Sequence, residues 1–523
     1  MMKKTCGFSR NIPRFFILTA LILILGAQSG YGQSTPRAWY VKEKSSDDNN
    51  GRSPETPFES LTKAFASAAS SPVKTIIIIG QYYGLGGSST PAEGTGAAEI
   101  LVTAMDDQTV MGSRIGIYGN SKIRFENITF GRVFSEYRGR LEIGEQGEES
   151  GPVVTVGKNT VFGDHSEIKV NSGILVMEGN ALVRGENEGI AVSGGELTIK
   201  DDVKITYQGS YYQETGIGVG GGKVILQDRA QVSGYTGSGV AVSGGTFLMR
   251  DSSVVSGNTN SGRANLLGTR DGGGIRIADD SGGGSFPMVV LMGNASVTGN
   301  STNGKGGGIY VGSGYLGIKE NAVISGNTAR QGGGVYFKGI EKQPLLAQSG
   351  YVMKNTKPSI SRLQAMFMEI AGGRIADNTA QEGGGVYAAN GSVETSLTVD
   401  YTKNTASVTY DQLGIEMTGG VITGNKADYG AGVYIVSDEL SFKEQRALVS
   451  TKQHDMIVYE IRDTGKQVSK PSFVFKGGSI TGNEANFVGG GIWVKTKGAY
   501  TAGKGTLSGN TAGDGEGEDL YTP

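Results

Sequence analysis

The sequence predicts an all-β chain wound into a parallel β-helix, a solenoid with three short strands per coil and a short capping helix near its N-terminus. Three observations predict it. One stretch is written out repeatedly: VTGNSTNGKGGGIYV at 297–311, ISGNTARQGGGVYF at 324–337, IADNTAQEGGGVYA at 375–388, ITGNKADYGAGVYI at 422–435 and ITGNEANFVGGGIWV at 480–494. A degenerate copy runs from VSGN at 255–258 to GGGIRI at 272–277, and an unfinished one stands at 507–514. Self-similarity at such periods marks a repeat architecture, in which each unit buries its apolar side only against its neighbours. Glycine supplies 88 of the 523 residues, yet without a three-residue period and beside only 12 prolines, so a collagen triple helix is excluded. Wherever glycine is dense, apolar residues alternate, which is a strand signal and argues against disorder.

At the N-terminus Lys3, Lys4, Arg10 and Arg14 precede the apolar run FFILTALILIL at 15–25, followed by small and polar residues. Eleven apolar residues are too few to span a bilayer, so 1–32 reads as a secretory signal peptide with Gly30 and Gly32 placing the cut before Gln33; an uncleaved anchor is the alternative. The single cysteine, Cys6, lies ahead of this run. A lipid-anchored N-terminus is therefore unsupported, and the mature chain holds neither disulfides nor thiolate metal sites. The balance of 48 basic against 50 acidic residues implies no nucleic-acid partner and no anionic membrane. The expected location is extracytoplasmic, secreted or on the cell surface, with no membrane span in the mature chain.

The mature chain reads as one β-helix domain over 33–523, in three textures: an N-terminal cap and entry strands at 33–98, irregular coils at 99–250, and the repeats with long insertions at 251–523. A strand is expected at 39–41. After Pro54 and Pro57 the apolar residues Phe58, Leu61, Ala64, Phe65 and Ala68 keep helical spacing, and 75–79 is a buried strand. A helix laid over the first coil would cover backbone groups that an open solenoid end leaves unpaired. Through the irregular region, runs of β-branched residues broken by Gly, Asn and Asp predict strands at 115–118, 123–130, 153–156, 174–177, 190–192, 197–199, 217–219, 224–226 and 240–242.

Aligning the copies predicts which residues face inward. The pairs Ile190/Val192, Ile217/Val219, Val240/Val242, Ile275/Ile277, Ile309/Val311, Val335/Phe337, Val433/Ile435 and Ile492/Val494 stay apolar. Before each Gly-Asn a second strand holds Met368/Ile370, Ile415/Met417 or Phe473/Phe475, and a short V/I-S/T segment is the third. The residue between the paired positions varies from Ala191, Gly218, Ala241 and Arg276 to Tyr310, Tyr336, Tyr387, Tyr434 and Trp493. Alternation along a strand turns that residue to solvent, so the last five are expected to stack at about 4.8 Å as an exposed aromatic stripe. They are the candidate ligand-binding residues, because Tyr and Trp anchor interfaces and contiguous exposed apolar area is unusual. A purely structural aromatic ladder is the competing reading.

Asn258, Asn300, Asn327, Asn378, Asn425, Asn483 and Asn510 recur at one place in successive copies. They are expected to supply the left-handed turn residue and a stacked ladder of side-chain amides. Neutral amides without carboxylates bind Ca²⁺ poorly, so no metal is assigned to them. Their spacing is 27 from Asn300 to Asn327 and from Asn483 to Asn510, but 51, 47 and 58 in between. The excess falls at one point of the coil: 30 residues separate Phe337 from Met368, 26 separate Ala388 from Ile415 and 37 separate Ile435 from Phe473, against 4 between Val311 and Leu316. Three coils therefore project long loops from one edge. Segments within them, LTVDY from Leu397 and MIVYEI from Met456, read as projecting strands, and loops of such length are uncommon unless they bind something or are disordered.

The GN-x-A and GGG-I/V-Y units resemble the repeats of bacterial right-handed β-helix surface proteins and are similar to the polymorphic outer-membrane protein repeats of chlamydiae, over roughly 255–521. The entry segment resembles that of pectate-lyase-like proteins. Unlike the chlamydial repeats, the third position here is usually Gly, F-x-x-N is irregular and no barrel-like strands follow. The resemblance implies a right-handed helix and adhesin-like display, with a host or matrix protein or a surface glycan as partner. The rival class on the same fold is a polysaccharide lyase or glycoside hydrolase. Such enzymes need converging carboxylates or an acidic Ca²⁺ site beside a base. The acidic pairs Asp106/Asp107, Asp201/Asp202 and Asp279/Asp280 read better as solvated turns. His165 and His454 are the only histidines, and GDGEGED at 513–519 lacks a calcium-binding repeat. No catalytic residue, cofactor or metal is assigned, and a binding or structural role is preferred to an enzyme.

Overall fold

The computed structural model describes residues 37–84, 98–133, 137–145, 151–163, 166–184, 188–207, 215–260, 271–278, 287–338, 350–351, 366–389, 393–400, 405–412, 414–436, 440–453, 456–470, 473–495 and 500–522. The leader, His165, His454 and Asp279/Asp280 lie outside these residues.

Three parallel sheets run the length of the fold, and each coil visits them in the same order. The first has fifteen strands, from Trp39–Lys42 to Tyr500–Ala502; the second has fourteen, from Gln81–Tyr82 to Thr506–Ser508; the third has thirteen, from Arg114–Ile117 to Leu520–Tyr521. Each strand pairs in register with its equivalents one coil before and after, so that Val335 stands against Ile309 on one side and Val386 on the other. This is a parallel β-helix with three strands per coil. Every inward pair named above is buried, from Ile190/Val192 to Ile492/Val494, as are Met368/Ile370, Ile415/Met417 and Phe473/Phe475. Together they form one continuous apolar core along the solenoid.

The entry is capped as the spacing predicts. Ser60 Oγ accepts from Lys63 N at 3.2 Å and starts the helix Leu61–Ala69, which buries Leu61, Ala64, Phe65 and Ala68. The ring of Phe58 stacks on Trp39 of the first strand.

The corners show where local backbone chemistry decides the path. Between the first and second sheets, Asn127, Asn159, Asp201, Asp228, Asp251 and Glu320 adopt left-handed backbone. Asn127 therefore splits the single strand expected at 123–130 into Lys122–Glu126 of the first sheet and Thr129–Phe130 of the second. Two-residue strands such as Val161–Phe162 and Leu182–Val183 pass unnoticed in sequence because they carry too little alternation.

Between the second and third sheets the expectation for the recurring asparagines is half corrected. The left-handed residue is the one before each Asn: Gly257, Gly299, Gly326, Asp377, Gly424, Gly482 and Gly509. This turn frees the Asn side chain to point into the coil, where all seven are at most 3 % exposed. There they form the expected amide ladder. Asn378 is typical: its Nδ2 donates to Asn425 Oδ1 at 2.9 Å and to Ile324 O at 3.0 Å, while its Oδ1 accepts from Asn327 N at 3.0 Å and Asn327 Nδ2 at 2.9 Å. The ladder ends on Asp519, whose Oδ1 accepts from Asn510 N at 3.1 Å and Nδ2 at 2.8 Å. The acidic 513–519 segment thus places a carboxylate where the next amide would stand.

Candidate functional site

The third sheet sets Tyr310, Tyr336, Tyr387, Tyr434 and Trp493 in one row by direct register. Arg276 precedes the row and Tyr521 follows it. Successive ring centroids lie 5.6, 4.9, 5.0 and 4.1 Å apart, so the predicted stack exists. Its exposure does not. Tyr310, Tyr336, Tyr387 and Tyr434 are 6, 4, 7 and 2 % exposed, and only Trp493 is half-buried. These side chains point away from the solenoid core, yet they form a second apolar cluster with Ala278, Ala389 and Val436.

The cause is the first glycine of each triplet. Gly306, Gly332, Gly383, Gly430 and Gly489 take left-handed backbone, and the chain folds back so tightly that a side chain at any of them would collide with the aromatic residue four places on; a Cβ at Gly332 would lie 2.8 Å from Tyr336 Cα. This fold-back lays the preceding residue alongside the row. Lys305, Gln331, Glu382 and Tyr429 are bridged to one another in parallel register, and each reaches the aromatic of the following coil. Lys305 Nζ sits 4.9 Å from the Tyr336 ring centroid. Gln331 Nε2 donates to Glu382 Oε2 at 2.7 Å and to the Tyr387 hydroxyl at 3.4 Å, and the rings of Tyr429 and Trp493 lie 5.5 Å apart. Burial raises the phenol pKa values of Tyr387 and Tyr434, and the Glu382 carboxylate adds to the shift at Tyr434. Sequence inspection had a signal for this companion row: long side chains recur immediately before the glycine run, at one register.

The three long insertions leave the coil at one corner, after the third-sheet strands Val335–Phe337, Val386–Ala389 and Val433–Val436. Their strands combine into one antiparallel sheet. Its order is Gly350–Tyr351, Met456–Lys470, Leu440–Gln453, Thr405–Gln412, Val393–Asp400, so the second and third insertions each contribute a hairpin and the other two pairings join strands of different insertions. Tyr351 pairs with Val458, Ser407 with Gln445, Leu448 with Ile461 and Leu397 with Val408. The segments beginning at Leu397 and Met456 are strands, as expected. What their sequences do not reveal is that they belong to one sheet.

The two acidic pairs among the described residues, Asp106/Asp107 and Asp201/Asp202, are occupied in turns. Asp106 Oδ1 accepts from Gln108 N and Thr109 Oγ1, and Asp201 Oδ2 accepts from Gly179 N. The Arg229 fork binds Asp202 at 2.7 and 2.8 Å and holds its carboxyl below the usual carboxylate range. Among the described residues no group of three or more His, Cys, Asp or Glu is placed to hold a metal ion.

Fold and surface define a three-sheet parallel β-helix that carries an inter-insertion sheet on one corner. Comparison with protein-family models, with curated proteins and with solved structures finds no match to this chain.

Proposed function

We propose that the protein is a secreted or surface-displayed β-helix scaffold with an adhesin-like binding or structural role, and that the insertion sheet is its contact surface. The observation that carries this reading is the merging of insertions from three successive coils into one sheet. A tolerated excursion needs no partner excursion, whereas pairing Thr405–Ser407 with Gln445–Ala447 and Gly350–Tyr351 with Val458–Tyr459 builds a surface from three separate insertions. The apolar leader and the resemblance to polymorphic outer-membrane protein repeats support export and display. Among the described residues no helix is long and apolar enough to cross a membrane. The aromatic row enters as reinforcement for the coils that bear the insertions, since it is enclosed along Tyr310 to Tyr434.

The partner class is a host or matrix protein or a surface glycan. The test replaces each insertion by the four-residue link found between Val311 and Leu316 and compares binding to glycan arrays and matrix-protein panels. The reading expects the shortened chain to keep its β spectrum and lose binding. Binding that survives intact, or release of reducing or unsaturated sugars from polysaccharide by the parent, would overturn it in favour of the core solenoid or of an enzyme.

A further inference from the structure

The insertion sheet has two edges, and they are protected differently. On one edge, Met456–Lys470 is joined by Gly350–Tyr351 at Val458 and Tyr459, and its sequence carries Glu460, Arg462, Asp463, Lys466 and Lys470. Charged residues and short covering strands are how natural sheets discourage further pairing. On the other edge, Val393–Asp400 (VETSLTVD) is eight residues long, carries charges only toward its ends at Glu394 and Asp400, contains no proline and no basic residue, has no covering strand among the described residues, and pairs with Thr405–Gln412 without a register break. By contrast, the pairing of Leu440–Gln453 with Met456–Lys470 shifts between Lys443 and Gln445. Among the described residues this strand has a neighbour on one side only.

We infer that the Val393–Asp400 edge is a self-association site, where a second copy of this chain adds the same strand antiparallel about a two-fold axis. Antiparallel pairing of a strand with its own copy closes after two chains, which gives a dimer rather than a fibre. The sequence suits that register. Centred on Ser396, the pairing sets Val393 opposite Val399, Glu394 opposite Thr398 and Thr395 opposite Leu397, so no like charges stand directly opposite one another, and Glu394 meets Asp400 of the second copy only diagonally. The inference is separate from ligand recognition by the face of the sheet, because it uses only backbone groups of one edge.

Alternation of backbone N–H groups along an antiparallel strand supplies the test. The N–H groups of Ser396 and Leu397 point to opposite sides, one toward Thr405–Gln412 and the other toward the open edge. The full chain and its Ser396→Pro and Leu397→Pro variants are compared by sedimentation equilibrium over a concentration series, with circular dichroism as the check on fold. All three share the same N-terminal segment, so differences belong to the edge. The expected result is a concentration-dependent dimer for the parent, and for one proline variant an unchanged spectrum with association roughly tenfold weaker or more. A parent that stays monomeric throughout, or two proline variants that dimerise as the parent does, would overturn it. If both variants perturb the spectrum, Ser396→Lys decides: it sets two ammonium groups across the axis without removing any N–H, and dimerisation unchanged by it would also refute the site.

Discussion

Asn378 sits midway along the amide ladder, and replacing it by Ala is the most demanding test of what holds successive coils in register. The side chain is fully buried and makes four hydrogen bonds. Its removal takes the acceptor from Asn327 N and Nδ2, and one donor each from Ile324 O and Asn425 Oδ1. Asn425 Oδ1 keeps the bond from residue 378 N, so the two donors of Asn327 dominate the loss. A buried polar group left without a partner costs about 1–3 kcal/mol, which puts Asn378→Ala at about 3–5 kcal/mol. Asn510→Ala likewise leaves the buried Asn483 N and Nδ2 without their acceptor and takes a donor from Ile480 O, so it should also cost about 3–5 kcal/mol. Asn378→Asp keeps the acceptor but sets a carboxylate against two carbonyl oxygens. Its folded pKa is raised above the unfolded value of about 3.9, so this variant is most stable below that pH and loses stability as pH rises through the folded pKa. Urea unfolding followed by circular dichroism and by tryptophan fluorescence reads all three. A loss under about 0.5 kcal/mol for Asn378→Ala would refute the ladder as a determinant of register.

Because the aromatic row is enclosed, Tyr336→Ser should cost about 3 kcal/mol or more, like other buried aromatic truncations, and a loss near zero in thermal unfolding would show an exposed ring. Gly332→Asn and Gly299→Asn both substitute left-handed glycines, but a Cβ meets Val335 O at 2.5 Å in the first and nothing within 4 Å in the second. The first should cost over about 3 kcal/mol and the second under about 1, with Asp377 already filling the equivalent corner, and equal melting temperatures would contradict this. The raised phenol pKa values of Tyr387 and Tyr434 add stability that is complete below the unfolded value of about 10 and lost as pH rises through the folded values. Spectrophotometric titration should show late-ionising tyrosines whose number falls in Tyr434→Phe.

How much was legible in the sequence follows from the range of each interaction. Inward pairs such as Val335/Phe337 and the helix residues Leu61, Ala64, Phe65 and Ala68 are read from alternation or helical spacing, because burial there follows the period of one element. For Tyr336 the sequence shows the register but not the environment. Alternation turns it away from the core, but its cover comes from the chain folded back at the left-handed Gly332, from Lys305 over its ring, and from the rings of Tyr310 and Tyr387 one coil to either side. The Asn corner was misassigned by one residue for a local reason: either Gly or Asn suits left-handed backbone, and only the buried amide network shows that Gly326 takes the turn and Asn327 the ladder. The insertions were located by counting between copies. Their pairing was not legible, since Ser407 and Gln445 meet from different coils and nothing in either stretch names the other.

That meeting is the central structural claim, and a disulfide tests it most directly. Cys6 is the only native cysteine, so a Cys6→Ser chain carrying Ser407→Cys and Gln445→Cys has two thiols at paired positions of neighbouring strands. Facing Cα atoms there lie about 4.5–5.5 Å apart, within disulfide range. Under mild oxidation, peptide mapping should recover a disulfide-linked peptide joining the second and third insertions, while the same chain with Ser407→Cys and Lys452→Cys keeps free thiols. Free thiols at 407 and 445, or linkage equal in both chains, would contradict the single sheet.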